Sequence, residues 1–497
     1  MLSRSPLAPS SSRGTSAPTP PGPAYILRGH NAPVSVLSFS RCARYLMSGD
    51  TDGFVAVWDL RTFRPRYFWR AHDAGILGID ELDGGLLTQG RDNLLHLHSF
   101  GTNASASATV GHGAATAVPS PASPSTGIDR AWSLDINAMN FCRMSVCPLG
   151  GRSTKGKERE VLEDEEGEEA LVAVPSLTKD DVVDVFHYPS KARAHRSVGA
   201  GAFVGQKTGT VMATHLFYLA STSPAPASTA VLPLDPTSTH SSPAPSRGPG
   251  TAAERTTAAL HLLIAYESGQ LALFRFTPTR SFDLVPVSPP IPSSSSSTAF
   301  ARQRHPHYLP REGVRVDESE GWELVWVEKG HRDAIMSVAV SAGQRFAYSV
   351  GADHHLVAYR LVDANDAEAA LPRSHTELTD SAGKASVAVR QDGKVLATAG
   401  WDGEARIYKC KTLEPLAVLS HHRTSLQAAA FAPLSPAAPS TTFSDGRAED
   451  DSEDEGEGEG GRARSGRAWL ATGGQEAKIA LWEVYPPKAG SKAGKGV

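Results

Sequence analysis

The residues of this chain that could do chemistry are histidines and aspartates that recur near serines and threonines. The first such group is His30, Ser48, Asp52 and Trp58. A histidine beside a carboxylate can act as a general acid–base pair or supply two metal ligands. The same residues can also form a buried polar relay, in which the histidine bonds to the hydroxyl and the carboxylate and the hydroxyl accepts the Trp N–H.

Recurrence of this group along the chain favours the relay over catalysis, because a catalytic site would not be repeated at strand spacing. The frame is a hydroxyl residue, an acid four positions later and an aromatic residue six positions after the acid. It identifies seven copies, and six of the seven keep the hydroxyl and six keep the acid. The hydroxyl positions are Ser48, Thr88, Ser176, Ile264, Ser349, Thr398 and Thr472. The acid positions are Asp52, Asp92, Asp180, Ser268, Asp353, Asp402 and Glu476. The aromatic-type positions are Trp58, His98, Phe186, Phe274, Tyr359, Tyr408 and Trp482.

Histidines upstream of most copies are predicted to complete the relays. They are His30, His72, His331, His375 and the pair His421-His422, with His195 as the equivalent for the fourth copy. For the third copy the choice stays open, with the distant Gly111-His112 as one option. The fourth copy is irregular, since Ile264 and Ser268 replace its polar residues.

The copies resemble repeats of the WD-repeat family, which carry Gly-His and Trp-Asp dipeptides and a period of about 40–45 residues. Each acid is followed by an alternation of apolar and polar residues, which predicts a strand. The predicted fold class is therefore all-β: a seven-bladed WD40 β-propeller with long disordered insertions. Residues 25–28 are expected to supply the outer strand that the last copy lacks and so to close the ring.

The chain is predicted to divide into a disordered segment 1–23, one propeller 24–487 and a basic tail 488–497. Low-complexity or charged insertions account for the long spacings between copies, because a propeller tolerates loops between strands. Their approximate bounds are 103–126, 150–169, 221–255, 277–320 and 435–467.

Composition excludes several classes of protein. No apolar run approaches the ~20 residues that span a bilayer, so no membrane association is expected. The net charge is −4, and the excess of basic residues outside two acidic runs is scattered along the chain, so direct nucleic-acid binding is not expected. Four cysteines provide neither a disulfide framework nor a four-ligand zinc site, which favours a reducing compartment. We expect no cofactor and no metal.

Three further motifs are interpreted as structural. The stretch 199–209 resembles a phosphate loop, but Gln206 stands where that motif has glycine and a β-rich stretch follows. Cys142 and Cys147 are two cysteines with no other cysteine nearby in the sequence, which is more typical of residues in the hydrophobic core than of metal ligands. His96 and His98 alternate along a strand without a nearby pair of carboxylates.

The blades also resemble a narrower family, that of ASTRA-associated protein 1, which is related to the animal G-protein β-subunit-like protein 1. The matching stretches are 23–37, 68–72, 207–212, 396–403 and 479–486. The resemblance implies a non-catalytic scaffold subunit of the ASTRA complex in the nucleus, linked to chromatin remodelling and to the assembly of phosphatidylinositol-3-kinase-related kinases. It implies as partners the Tel–Tti cochaperone, RuvB-like ATPases and a kinase-related protein of that class.

Parts of the sequence also bear on two other protein classes. The stretch 58–61, Trp-Asp-Leu-Arg, matches the box of substrate adaptors for cullin-type ubiquitin ligases, in which Arg61 would contact the ligase. A G-protein β subunit is a poor match, because the prolines of 1–23 prevent the N-terminal helix that pairs with γ.

Ser452, inside an acidic run, is a candidate site for an acidophilic kinase.

Overall fold

The computed structural model describes residues 22–100, 119, 125–138, 141–149, 168–221, 257–277, 321–361, 372–379, 381–434 and 468–485. These residues form 28 strands in seven four-stranded antiparallel sheets, which confirms the seven-bladed all-β propeller. Within these ranges no helix is long and apolar enough to cross a membrane.

Six blades are built from four consecutive strands, and the seventh combines the two ends of the chain. Blade 1 contains β2 (Val34–Phe39), β3 (Tyr45–Asp50), β4 (Phe54–Asp59) and β5 (Arg64–Arg70). Blade 2 contains β6 (Ile76–Leu82), β7 (Gly85–Gly90), β8 (Leu94–Phe100) and β9 (Ile128–Asp135). Blade 3 contains β10 (Ser145–Pro148), β11 (Ala170–Pro175), β12 (Val183–Tyr188) and β13 (Arg193–Val198). Blade 4 contains β14 (Val211–Ser221), β15 (Thr257–Tyr266), β16 (Gln270–Phe276) and β17 (Trp322–Lys329). Blade 5 contains β18 (Ile335–Val340), β19 (Phe346–Gly351), β20 (His355–Arg360) and β21 (Arg373–Thr376). Blade 6 contains β22 (Lys384–Val389), β23 (Val395–Gly400), β24 (Glu404–Lys409) and β25 (Pro415–Ser420). Blade 7 contains β26 (Leu426–Phe431), β27 (Trp469–Gly474), β28 (Lys478–Glu483) and β1 (Tyr25–Arg28).

Blade 7 closes the ring as the sequence predicts. Strand β1 pairs with β28 in antiparallel register, with Tyr25 opposite Leu481 and Arg28 opposite Lys478. The pairing removes the free edge that β28 would otherwise present. Leu27 of β1 is buried in a core cluster that spans blades 7 and 1.

The loops of the propeller separate onto two faces. The first strands contact one another around the centre, as β2 does with β26 and β14 does with β18. Connections between blades, and those between second and third strands, lie on one face, because successive strands run antiparallel. The longest of these connections is 199–210, between β13 and β14, and we call this side the short-loop face.

All five predicted insertions attach on the opposite side, which we call the insertion face. Two follow third strands (β8 and β16), and three follow first strands (β10, β14 and β26). The chain ends attach there as well, through β28 and β1. The insertions themselves lie outside the described residues, apart from their ends and residue 119.

Candidate functional site

The polar relay of blade 1 connects the segment before β2 to β3 and β4. His30 Nδ1 lies 2.7 Å from Asp50 Oδ2, and its Nε2 lies 2.7 Å from Ser48 Oγ. Trp58 Nε1 donates to the same hydroxyl at 2.8 Å. All four side chains are buried, so each polar group gains its hydrogen bond away from water.

The acid of this relay is Asp50, so the prediction of Asp52 is wrong. Ser48 and Asp50 are two residues apart on β3, and alternate residues of a strand face the same side. Asp52 is exposed in the following turn, where its backbone N–H donates to Asp50 Oδ1 at 3.0 Å. The four-residue spacing from Ser48 predicted Asp52, in the turn. The carboxylate that reaches His30 belongs instead to Asp50, at the end of β3.

Blade 5 has the acid where the frame predicts it. His331 Nδ1 donates to Asp353 Oδ1 at 2.8 Å, and His331 Nε2 lies 2.7 Å from Ser349 Oγ. The Ser349 hydroxyl donates to Tyr359 Oη at 3.2 Å. Burial opposes ionisation of Asp353, but the bond from His331 and two backbone N–H groups outweigh it and lower the pKa of this carboxyl to about 2.

Blade 2 repeats the arrangement and brings a second histidine close to it. His72 lies 2.9 Å from Asp92 Oδ1 and 2.8 Å from Thr88 Oγ1, through its two ring nitrogens. His96 stacks on His72 with the ring centroids 4.6 Å apart, and the ligand atoms of His72, Asp92 and His96 lie within 4.8 Å of one another. Both nitrogens of His72 are already engaged, and the lone pairs of stacked imidazoles do not converge on one point. The cluster therefore fits a relay better than a metal centre.

Blade 7 contains a shorter relay. His422 Nε2 lies 3.1 Å from Thr472 Oγ1, and Trp482 Nε1 donates to the same hydroxyl at 3.0 Å. The acid of this copy, Glu476, accepts the backbone N–H of Arg423 at 2.6 Å.

Blade 6 uses a glutamate where the sequence predicts a histidine. His375 lies on β21 of blade 5, where its ring packs 5.4 Å from that of Tyr408. The Tyr408 hydroxyl donates to Glu377, and Thr398 is buried on the neighbouring β23. His375 therefore takes no part in a relay, and its prediction is wrong.

An arginine completes the blade 6 cluster. Arg406 Nη2 lies 2.8 Å from Asp402 and 2.7 Å from Glu404, and Arg406 Nε lies 3.0 Å from Glu377. Its side chain is only 8% exposed. Asp402 thus supplies an acid, as predicted, but to an ion-pair cluster and not to a histidine.

We expect Glu377→Ala to destabilise the propeller by roughly 1–3 kcal/mol, because Tyr408 would lose its acceptor and Arg406 one of its three carboxylates. His375→Ala is the matched control, with an expected loss of under about 0.5 kcal/mol. Urea unfolding of both variants checks this, and equal losses would contradict the assignment.

Blade 3 has a relay without a histidine. Ser176 Oγ donates to Asp184 Oδ2 at 3.1 Å, and Asp184 Oδ1 accepts the backbone N–H of Ser197. Asp180 is exposed in the connection before β12. The prediction of Asp180 is wrong. The acid is Asp184, four residues further on, because this residue lies on β12 opposite the strand that ends before Ser176.

Blade 4 has no polar relay in its described residues, as its sequence indicates. Ile264 is fully buried, and Ser268 Oγ donates to Gln270 Oε1 at 3.1 Å. His195, the histidine predicted for this copy, lies on β13 of blade 3 and packs against Trp322. Its assignment to a relay is also wrong.

Buried neutral histidines make the stability of the propeller depend on pH. Burial, with a smaller effect of neighbouring histidines, lowers the pKa of His98 to about 3 and that of His422 to about 4. The unfolded chain takes up these protons near pH 6.5, so this stability is fully present above that pH and is lost as the pH falls towards 4. Each histidine contributes a slope of about 1.4 kcal/mol per pH unit. We expect His98→Phe to make the stability profile shallower between pH 6.5 and 4, and an unchanged slope would refute this.

The remaining motifs occupy structural positions. Residues 199–209 form turns between β13 and β14, and a strand follows them. Cys142 and Cys147 are free thiols in one core cluster, and burial raises the pKa of each to about 12. Arg61 is exposed in the turn after β4, where its backbone N–H donates to Asp59 Oδ1. Ser452 lies outside the described residues.

The sequence did not indicate two residues that connect separate blades, Glu377 and Arg143. No sequence motif marks Glu377, because its contact with Tyr408 depends on where β21 ends. Arg143 donates to the carbonyl of Gln427, 284 residues away, and only closure of the ring brings these residues together.

Comparisons with known proteins agree with this architecture. Residues 22–59 and 375–409 match the family described as "WD domain, G-beta repeat". The crystal structure of the Myceliophteria thermophila Cps50 (Swd1) β-propeller domain aligns with a TM-score of 0.52 and 12% identity, over 93% of this chain and 99% of that one. This similarity concerns the fold alone.

Three fungal relatives match along almost their whole length. The chain is 30% identical to ASTRA-associated protein 1 of Pyricularia oryzae, over 95% of this chain and 99% of that protein. It is 27% identical to the protein of that name in Aspergillus niger, over 94% of this chain and 98% of that protein. Identity to the Schizosaccharomyces pombe protein is also 27%, over 83% of this chain and 94% of that protein. The resemblance found in the sequence is thereby confirmed, and the chain belongs to the family of ASTRA-associated protein 1.

Proposed function

We propose that this chain is a non-catalytic scaffold subunit of the ASTRA complex. It acts in the nucleus, in chromatin remodelling and in the assembly and stability of phosphatidylinositol-3-kinase-related kinases. Its partners are the Tel–Tti cochaperone, RuvB-like ATPases and a kinase-related protein of that class. It takes no cofactor or metal and binds neither membranes nor nucleic acid directly.

The observation that carries the proposal is full-length similarity to ASTRA-associated proteins on a closed ring with two different faces. The histidine–acid pairs of blades 1, 2 and 5 are buried in relays and are not presented to a substrate. The short-loop face offers ordered turns, while the insertion face receives every predicted insertion. Two chemically different faces on one rigid ring suit the docking of several protein partners.

Purification of the tagged chain from nuclear extract tests the proposal. We expect to recover the cochaperone subunits, the RuvB-like ATPases and a kinase-related protein by mass spectrometry. Recovery of a cullin with its linker protein, in place of these subunits, would overturn the assignment.

The adaptor alternative retains one supporting observation, the exposure of Arg61. Trp58 of the same stretch is buried in the blade 1 relay, so the Trp-Asp pair has a structural explanation. Arg61→Ala is expected to leave both the fold and the recovered subunits unchanged. Loss of a bound cullin in this variant would support the adaptor function instead.

A further inference from the structure

The segment before β10 brings an arginine and an exposed phenylalanine to the mouth of the central channel on the short-loop face. Gln89, which is fully buried, holds this segment by its backbone. Its Nε2 donates to the carbonyl of Cys142 at 3.2 Å, and its Oε1 accepts the N–H of Met144 at 2.7 Å. Phe141 and Arg143 are therefore fixed relative to blade 2.

Arg143 reaches across the channel to two other blades. Its Nη2 donates to the carbonyl of Ser35 at 2.8 Å and to that of Gln427 at 3.2 Å. Both residues stand second in their first strands, β2 and β26, where the pairing register shifts. The guanidinium thus lies at the short-loop end of the channel, among blades 1, 3 and 7.

The charge of Arg143 is not compensated within the described part of the chain. No described carboxylate lies within 4.0 Å of its guanidinium, and its Nη1 and Nε have no described hydrogen-bond partner. Burial alone lowers its pKa to about 10, so the group stays protonated at neutral pH. Arg143 is only partly buried, so an anionic ligand can reach its guanidinium and supply the counter-ion that the described residues lack.

The same segment presents an exposed apolar side chain two residues before Arg143. Phe141 is 55% exposed, although its backbone is fixed. The guanidinium of Arg91, from the turn between β7 and β8, lies 4.7 Å from the centroid of the Phe141 ring. An exposed aromatic ring against one arginine, two residues before a second arginine on the same segment, is suited to a partner that presents negative charge next to an apolar group.

We propose that Arg91, Phe141 and Arg143, which we call the mouth patch, bind a partner-protein segment in which a glutamate or aspartate adjoins an apolar side chain. Arg143 donates to the carboxylate, and Phe141 packs against the apolar side chain. The proposal rests on the scaffold function and specifies which face, and which chemistry, one partner uses.

Fluorescence anisotropy tests the proposal with the full chain and a labelled ten-residue peptide of alternating glutamate and leucine. A second peptide has glutamine in place of glutamate, and a third carries residues 449–459 of this chain, which are acidic but contain no apolar side chain. We expect the glutamate–leucine peptide to bind at least about tenfold more tightly than the other two, a difference of one charged hydrogen bond.

Substitutions locate the site. Arg143→Gln and Phe141→Ala are each expected to weaken binding at least about fivefold. Leu378→Ala removes another apolar side chain that is 83% exposed on the same face, and it should leave binding unchanged. A parallel thermal melt shows whether Arg143→Gln is folded. If it is not, Phe141→Ala and Arg91→Ala still test the site, because both side chains are exposed and their removal should not unfold the chain.

Equal affinity for the glutamate and glutamine peptides, or unchanged binding by the Phe141 and Arg91 variants, would overturn the proposal. Tighter binding of the 449–459 peptide would assign the patch to the chain's own acidic segment and would also overturn it. The assay contains no ASTRA subunit, so its outcome is independent of the purification that tests the scaffold function.

Discussion

Deleting residues 1–28 is expected to unfold or strongly destabilise the propeller. The deletion removes β1, whose four residues pair with β28, and with it the buried side chain of Leu27. It also removes the stacking of Tyr25 on Phe63, whose ring centroids lie 3.6 Å apart. Burial of Leu27 and partial burial of Tyr25 are together worth roughly 3 kcal/mol, a large part of the 5–15 kcal/mol that holds a typical domain.

Deletion of residues 1–20 is the matched control, because it keeps β1, its pairing with β28 and the contacts of Leu27 and Tyr25 with the core. Differential scanning calorimetry of the two truncated chains should show a large loss of melting temperature only for the longer deletion. Leu27→Ala alone should cost about 2–5 kcal/mol. A propeller that melts normally without β1 would show that the ring is closed in some other way.

His30→Ala is expected to destabilise the protein by about 3–5 kcal/mol, since it leaves Oδ2 of the buried Asp50 carboxylate without its histidine partner. The side chains of His30 and Asp50 are 1% and 2% exposed, so water cannot replace the lost hydrogen bonds in the folded state. Ser48 would also lose a bond, which adds to the penalty.

The matched control is Asp52→Asn, at the position that the frame had identified. Asp52 is exposed, and the expected change is within about 0.5 kcal/mol. Equilibrium unfolding in urea measures both variants. A loss for Asp52→Asn as large as that for His30→Ala would contradict the assignment of Asp50 to the relay.

The number of blades and the closure of the ring follow from the sequence, because strand alternation and the hydroxyl–aromatic spacing are local properties. Ser48 and Trp58, for example, lie ten residues apart on adjacent strands and form a hydrogen bond, and so do Thr472 and Trp482. The position of the acid is less constrained. A carboxylate can reach the histidine from the strand end, as Asp50 does, or from the turn, as Asp353 does.

The remaining differences depend on tertiary structure. The replacement of a histidine by Glu377 becomes visible only when the end of β21 is known. The mouth patch requires blades 1, 2, 3 and 7 to meet around one channel, and no spacing along the chain reports this. Arg143 carries no distinguishing signal in the sequence, yet no described carboxylate pairs with its guanidinium.

The central claim is that this chain works by binding protein subunits on a closed ring. Size-exclusion chromatography of the purified chain mixed with purified Tel–Tti cochaperone and RuvB-like ATPases tests it most directly. We expect the chain to co-elute with these subunits in a complex of fixed stoichiometry. Elution of the folded chain alone, at micromolar concentrations of every component, would contradict the claim.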